Sequence, residues 1–392
     1  MINLIIVGVG DLANKIIPAV KKLKDNNQVK QIVFVDIKSV DDILKKLNLS
    51  NDLKDWFFKQ SYHNLLTDNE NNQTINQLYS NLSDDINTVV YLSTSPCNYF
   101  ESIERYCRIA KLFFIEKPWA KDPSELEKIK ILKDTKNIIV LGVDHYLWKN
   151  TVKSFIEKKK SKIEIIKLKS NNFDFVITEK NIPNEDRKYY WDYGEISDML
   201  PHVFPLLDEL FAIKDDALDN KNNIQINCGV YNLNSLRENR GKYRNIVNKE
   251  TFVEIEWKLE QKIIHIILGK GLNFVFQSTS KSKFFSDNKE IIIDFESNSN
   301  NYHDPYTEMF CYISQNSDKI TQNKDGKLFL NIESMQKYVN FIDKIQKIVD
   351  SIYGKNVKRA EILKRKFYYN ENEYIRLQFH PTNNCQVKVK VD

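Results

Sequence analysis

The sequence predicts an α/β N-terminal domain built on a parallel sheet, followed by an α+β domain with a large, mostly antiparallel open sheet. Two textures and a length carry this expectation. The first 120 residues alternate short apolar runs with amphipathic segments, the signature of parallel βαβ units. Beyond Ser161 the apolar runs lengthen and alternate with polar residues, as in sheets with one face buried and one wet. The 392 residues suffice for two or three domains at roughly 100–200 residues each.

Taken in order, Asn3–Gly8 reads as a buried strand and Leu12–Leu23 as a helix with Ile16, Ile17, Ala19 and Val20 on one side. Gln31–Ile37 is a second strand, and a helix begins at Val40. A polar stretch from Asn48 to Asp85 surrounds a weak third strand near Tyr62. Asn87–Ser93 and Leu112–Glu116 are strands separated by a helix at Tyr99–Ala110; a helix starts at Pro123 and a strand runs Ile138–Val143. The second texture holds Lys162–Lys169, Asn223–Leu233, Thr251–Glu260, Lys262–Leu268, Phe274–Ser280 and Glu290–Phe295, then a long amphipathic helix at Glu333–Tyr353. The expected domains are 1–122, 123–353 and a basic extension at 354–392.

Composition excludes several functions. Apolar residues make up 42% and charged residues 28%, a globular balance. The net charge of +5 is too diffuse to argue for nucleic acid or a membrane surface. Five scattered cysteines without a C-x-x-C exclude a disulfide scaffold and a cysteine zinc site as organisers, and no metal is expected. No apolar run is long enough to span a membrane. The N-terminus lacks a basic region and reads as a buried strand rather than a leader, so a cytoplasmic location is expected.

Three clusters carry chemistry. The first is Gly8-Val9-Gly10-Asp11-Leu12-Ala13, placed between a strand and a helix. Gly8 permits a tight turn, Gly10 lets backbone approach a pyrophosphate, and Ala13 lets helix and strand pack closely. The helix start then offers N–H donors and a positive dipole end to phosphates. Asp36 closes the next strand, where a carboxylate binds ribose hydroxyls and repels a 2′-phosphate. That favours NAD, although Lys38 offsets the repulsion and keeps NADP as the alternative.

The second cluster is Glu116-Lys117-Pro118, just past the carboxyl end of a strand, where ligands of parallel sheets bind. A lysine there can donate to a substrate hydroxyl and hold positive charge near a developing alkoxide. The third comprises Asp198 and His202, four residues apart and so on one helical face, together with Asp144-His145-Tyr146-Leu147-Trp148-Lys149. A carboxylate fixes the tautomer of a neighbouring imidazole and supports its proton uptake. His, Tyr and Lys packed into one short turn suggest an oxyanion or phosphate clamp.

Gly8–Ala13, Tyr91-Leu92-Ser93-Thr94-Ser95-Pro96, Glu116-Lys117-Pro118 and Asp198-x-x-x-His202 resemble the glucose–fructose oxidoreductase/inositol dehydrogenase (Gfo/Idh/MocA) family. Asp144–Lys149, Arg240-Gly241-Lys242-Tyr243, Glu250-Thr251-Phe252 and Gly269-Lys270 are similar to landmarks of its distant relatives, the glucose-6-phosphate dehydrogenases. The likeness runs collinearly from about residue 1 to 275. It implies an N-terminal Rossmann dinucleotide-binding domain and a sheet domain that carries the substrate and homo-oligomer contacts.

By this resemblance Lys117 binds and polarises a sugar hydroxyl, His202 accepts its proton, and Asp198 or Asp144 orients His202. Gly8, Gly10, Asp11, Leu12, Asp36, Lys38, Ser93, Thr94, Pro96, Glu116 and Lys117 would serve the cofactor. His145, Tyr146, Lys149 and Lys270 would hold a sugar or sugar-phosphate substrate. Trp148 departs from the glucose-6-phosphate dehydrogenases, which carry Gly there, and a ring of that size would reshape the phosphate pocket. The expected function is an NAD(P)-dependent sugar or sugar-phosphate dehydrogenase. A non-catalytic dinucleotide-binding sensor, and an imine or biliverdin-type reductase in which His202 donates a proton, are the alternatives.

Overall fold

A computed structural model describes residues 1–10, 12–47, 56–59, 87–150, 152–153, 156, 172–179, 188–219, 223–229, 252–270, 281–286, 292–294, 304–322, 328–353, 362–369 and 372–379. The chain divides into two compact units, the first formed by 1–149 with 302–339 and the second by 150–301 with 340–392.

The first unit is a six-stranded sheet in the order β3-β2-β1-β4-β5-β6, parallel throughout. Its strands are β1 (Ile2–Val7), β2 (Val29–Asp36), β3 (Phe57–Lys59), β4 (Thr88–Leu92), β5 (Leu112–Glu116) and β6 (Ile139–Val143). This is the Rossmann order, with a reversal between β1 and β4 that opens a crevice at the carboxyl ends of the strands. All of β1 and β5 is buried, which is why they read as near-continuous apolar runs, broken only by Asn3 and Glu116, instead of alternating ones.

Helix α1 (Ala13–Asp25) buries Ile16, Ile17, Ala19, Val20 and Leu23, close to the face read from the sequence. It is followed by α2 (Val40–Leu47) and, after a short 3₁₀ turn at Pro96–Asn98, by α3 (Tyr99–Tyr106). In α4 (Pro123–Lys136) the Asp122 carboxylate caps the Glu125 amide at 2.9 Å, and the Glu125 carboxylate accepts from the Lys121 amide at 2.9 Å. Asn137 ends that helix in the left-handed conformation, a residue type that tolerates it.

The third strand is Phe57–Lys59, just ahead of Tyr62, which lies outside the described residues. The Trp56 ring stacks on Phe34 of β2, so an aromatic pair sets where this short edge strand joins. The first unit also extends past residue 122 to Lys149, because β6 hydrogen-bonds to β5 along its whole length. It is completed by the returning segment 302–339. There α6 (Pro305–Thr321) packs on α1, and Leu330 exchanges two backbone hydrogen bonds with Gly142 on the outer edge of β6.

The second unit holds a six-stranded sheet in the order β12-β11-β7-β10-β9-β8. It comprises β7 (Asn172–Glu179), β8 (Ile224–Gly229), β9 (Phe252–Leu259), β10 (Lys262–Lys270), β11 (Lys281–Ser286) and β12 (Ile292–Asp294). Every neighbouring pair is antiparallel except β7 with β10. Register places Phe173, Phe175 and Ile177 beside Ile264, Ile266 and Leu268, and these beside Trp257, Ile255 and Val253. All nine are buried, so one apolar face spans three strands. The other face is polar, with Glu256 and His265 paired at 3.3 Å. Helix α5 (Lys188–Phe211) packs on β9 and β10. A hairpin, β13 (Ile362–Tyr369) with β14 (Asn372–Phe379), occupies part of the basic extension. The strand expected at Lys162–Lys169 lies outside the described residues, as does that at Phe274–Ser280. Helix α7 (Ile332–Tyr353) matches the long amphipathic helix expected there. Among the described residues no helix is long and apolar enough to cross a membrane.

Candidate active site

The turn after β1 is set by one close approach. Gly8 has φ +93°, and a Cβ built there would lie 2.6 Å from the Thr94 amide nitrogen and 2.8 Å from the Ser93 carbonyl carbon. Only glycine meets both conditions without strain. The Ser93 hydroxyl donates to the Gly8 carbonyl at 2.6 Å, and the Ser93 amide donates to the Val7 carbonyl at 2.9 Å. Gly8, Ser93 and Thr94 therefore form one contiguous surface, with Pro96 buried behind it.

At Gly10, by contrast, an added Cβ would meet no atom within 4 Å, so the space above that residue is open. Leu12 stands at the N-cap of α1, where its own side chain makes no capping bond and no acidic residue occupies the first turn. That end keeps its positive dipole and can take an anion. Asp36, at the end of β2, is held against the turn: Oδ2 accepts from the Val9 amide at 2.6 Å and Oδ1 from the Lys38 amide at 2.9 Å. Lys38 is otherwise exposed, and Asp11 lies outside the described residues.

The carboxyl ends of β5 and β6 form a different kind of site. Glu116, the last residue of β5, is 3% exposed. Its Oε1 accepts from the Tyr91 hydroxyl and its Oε2 from the Lys117 amide at 3.3 Å, while its backbone carbonyl accepts from Tyr99 at 2.8 Å. Lys117 is half-buried and joined to Pro118 by a cis peptide bond. Asp144, just past β6, is fully buried, and its Oδ1 accepts from the Tyr146 amide at 3.0 Å. The His145 ring stacks on Tyr306 at 5.5 Å and meets Tyr146 edge-on at 4.7 Å. Lys149 places its ammonium 4.2 Å from the centre of the Tyr146 ring, a cation–π contact.

Burial dominates the electrostatics of this end. It pushes the Glu116 carboxyl up to about 7, against the opposing pull of the Tyr91 hydrogen bond and the Lys117 charge. The nearby Asp144 charge adds to the rise. The Tyr91 and Tyr306 hydroxyls are pushed well above their usual range, first by burial and then by the negative charge of Glu116. Glu116 therefore lies within reach of either protonation state near neutrality.

In the second unit, α5 breaks at Gly194, whose φ of +82° interrupts the helix. Asp198 and His202 follow one helical turn apart, 1% and 4% exposed, among the buried Glu195 and Ser197. Pro201 and Pro205 lie within the same helix and donate no amide hydrogen bond. Lys270 is the last residue of β10, in register with Glu179.

The structure thus gathers Gly8, Asp36, Ser93 and Thr94 at one place. It gathers Glu116, Lys117, Asp144, His145, Tyr146 and Lys149 at the ends of β5 and β6, and carries Asp198 and His202 on a helix of the other unit. The Trp148 indole is 1% exposed and packs at 5.3 Å from Tyr312 and 5.1 Å from Phe329, an aromatic wall supplied by the returning segment. The sequence reading missed Tyr99 and Tyr306, and gave Tyr91 no role. Tyr91 is the one residue of β4 with a hydroxyl on an aromatic ring, a signal that a polar partner is buried beside it. Tyr306 gave no local signal at all.

No protein-family model matches the sequence, and no curated protein matches it. Solved structures do resemble the fold. A glucose-6-phosphate 1-dehydrogenase from Mycobacterium avium is 15% identical, with 88% of this chain and 91% of that one covered at a TM-score of 0.59. The WlbA dehydrogenase from Bordetella pertussis, solved with NADH and UDP-GlcNAcA, is 12% identical, with 89% and 97% covered and a TM-score of 0.60. A putative myo-inositol dehydrogenase from Sinorhizobium meliloti is 12% identical, with 90% and 98% covered and a TM-score of 0.58. At these identities the likeness is one of fold, across nearly the whole of each chain.

Proposed function

We propose that this protein is an NAD-dependent oxidoreductase that exchanges a hydride with the CH–OH carbon of a sugar or sugar phosphate. The observation that carries the reading is the turn after β1. There Gly8 is required by its close approach to Ser93 and Thr94, Gly10 leaves open space, and Asp36 is tethered beside them. The residues fit a dinucleotide. The start of α1 suits its pyrophosphate, and the Asp36 carboxylate suits ribose hydroxyls while repelling a 2′-phosphate. Similar folds solved with NADH and a nucleotide sugar support the same cofactor and substrate class. NAD supplies the hydride acceptor when bound.

The chain's own residues then supply binding and proton transfer. Lys117 donates to the substrate hydroxyl and stabilises the developing alkoxide, as a fixed positive charge does in a water-poor site. His202 accepts the hydroxyl proton, with Asp198 one turn earlier fixing its tautomer. Tyr146, Lys149 and His145 hold the distal part of the substrate, with Lys149 already settled on the Tyr146 ring. The buried placement of both Asp198 and His202 favours catalysis over a sensor role, since a sensor has no use for a desolvated proton acceptor. We further propose that copies assemble through the sheet of the second unit.

Incubating the protein with NAD and a panel of sugars, sugar phosphates and nucleotide sugars should raise the absorbance of reduced nicotinamide. Lys117→Ala and His202→Ala should each lower turnover by about 10²–10⁴-fold, the range for a lost acid–base or electrostatic group. The affinity of His202→Ala for NAD should stay within about threefold. Turnover retained in both variants, or no nicotinamide reduction across the panel by protein that binds NAD, would overturn the reading.

A further inference from the structure

The links between β5 and β6 change character where the site begins. The ladder of paired residues ends at Glu116 with Val143, immediately before Lys117 on one strand and Asp144 on the other. Beyond that pair the backbone of β5 has little to give its neighbour. The Lys117 amide is turned onto the Glu116 carboxylate at 3.3 Å, and Pro118 has no amide hydrogen. Val143 is fully buried, and a buried carbonyl needs a donor. A side chain supplies it: the indole N–H of Trp119 donates to the Val143 carbonyl at 3.0 Å. The Glu116 carbonyl is met in the same way by the Tyr99 hydroxyl, at 2.8 Å.

The ring that carries this N–H is itself held. Trp119 is fully buried, and the Tyr338 ring of α7 lies 5.9 Å away, tilted by 48°. A Cβ built on Gly142 would come within 2.9 Å of the Trp119 Cδ1 carbon, so the glycine before Val143 makes room for the indole to lie over the strand. Burial accounts for an indole N–H finding some partner. It does not account for that partner being the last carbonyl before Asp144.

We propose that Trp119 is a positioning residue: its indole N–H, bonded to the Val143 carbonyl, ties the turn that carries Lys117 to the turn that carries Asp144, His145 and Tyr146. This deepens the dehydrogenase reading and rests on it for the roles of Lys117 and His145. The donor follows Lys117 closely and the acceptor directly precedes Asp144, so losing the bond frees the two turns while the strands behind them stay paired. Fully buried, Trp119 acts through these turns and not by touching substrate.

The test replaces Trp119 in the full-length protein with benzothienylalanine, which keeps the shape of the indole and puts sulfur in place of the N–H. Amide hydrogen exchange is then followed by NMR. The reporter is the Tyr146 amide, which donates to the Asp144 carboxylate at 3.0 Å inside the tied turn. Its exchange, governed by local opening, should quicken about tenfold, while the mid-strand amides of Phe114 and Leu141 keep their rates. Trp119→Phe also lacks the N–H and should speed the Tyr146 amide more than those two. An unchanged Tyr146 amide in the analogue, or an equal rise at Phe114 and Leu141, overturns the inference, because a ring that merely fills the core leaves all three alone or loosens all three.

Nicotinamide reduction is measured separately on the same proteins, and kcat should fall about tenfold in the analogue, since small misplacements of reacting groups cost rate steeply. If exchange responds as stated but the wild type oxidises no substrate, the dehydrogenase reading fails and the tie stands. If substrate is oxidised with the same kcat in wild type and analogue, the positioning role fails and the dehydrogenase reading stands.

Discussion

The turn after β1 and the ends of β5 and β6 lie at the same carboxyl edge of one parallel sheet, yet they are built from opposite materials. The turn is made of backbone: amides of Val9 and Lys38 on one carboxylate, and a glycine pressed against the peptide of Ser93 and Thr94. Its glycine and its amides act through steric room and backbone dipoles. The other end is made of buried side chains, with an acid, two phenols, a second carboxylate and a lysine sharing one desolvated space. Backbone sites tolerate pH but not volume. Side-chain sites should show the reverse.

The largest effect expected is at Gly8. Gly8→Ala meets a positive φ, costing ~1–2 kcal/mol, and a backbone clash that costs a further ~1–3 kcal/mol, so a loss of about 4 kcal/mol is expected in denaturant unfolding. That loss should be the same at pH 5 and pH 8; a strong pH dependence would break the contrast.

Glu116 comes next. Its folded pKa of about 7 lies above the usual 4.5 of a free glutamic acid, so the unfolded chain gives up this proton first. The stability it contributes is whole below pH 4.5 and is lost as the pH rises through about 7. Relative to wild type, Glu116→Gln should therefore gain about 3 kcal/mol in stability between pH 4 and pH 8.5, since each pH unit separating the folded and unfolded values is worth about 1.4 kcal/mol. Equal differences at both ends of that range would contradict it.

The smallest effect sharpens the first. Gly10→Ala meets open space and should alter stability by no more than about 0.5 kcal/mol, the range of a surface change. It should still weaken NAD binding by about tenfold, ~1.4 kcal/mol, as the methyl group fills the room a pyrophosphate needs. Calorimetric titration with NAD separates the two glycines. Two turn residues with equal stability losses would mean that the turn is merely structural.

The same contrast explains what could be read from the residues alone. The turn was legible because its parts are close in sequence or end successive strands: Gly8, Gly10 and Asp36 fall within 29 positions and each has one physical reason to be there. The two sheets were legible for a related cause, since a parallel strand buried on both faces and an antiparallel one wet on one face leave different periodicities. Lys117 and His202 stood out only through resemblance, because a lysine in a loop and a histidine on a helix have ordinary uses. The phenols around Glu116 were not legible. Tyr91, Tyr99, Glu116 and Tyr306 are drawn from four elements, and nothing near Tyr306 announces that its ring will meet a carboxylate some 190 positions earlier. Such sites are assembled by topology, and single-sequence periodicity carries no record of them.

The return of residues 302–339 to the first sheet has a consequence for how the protein is made. A ribosome releases the six parallel strands early, but Gly142 on the outer rim of β6 waits for its backbone partner until Leu330 is extruded. Throughout that interval the nascent chain carries an exposed strand edge, the kind of surface that recruits neighbouring polypeptides. A gene cut after codon 149 should accordingly yield inclusion bodies, and co-expressing the 302–339 stretch in trans is the direct way to rescue it.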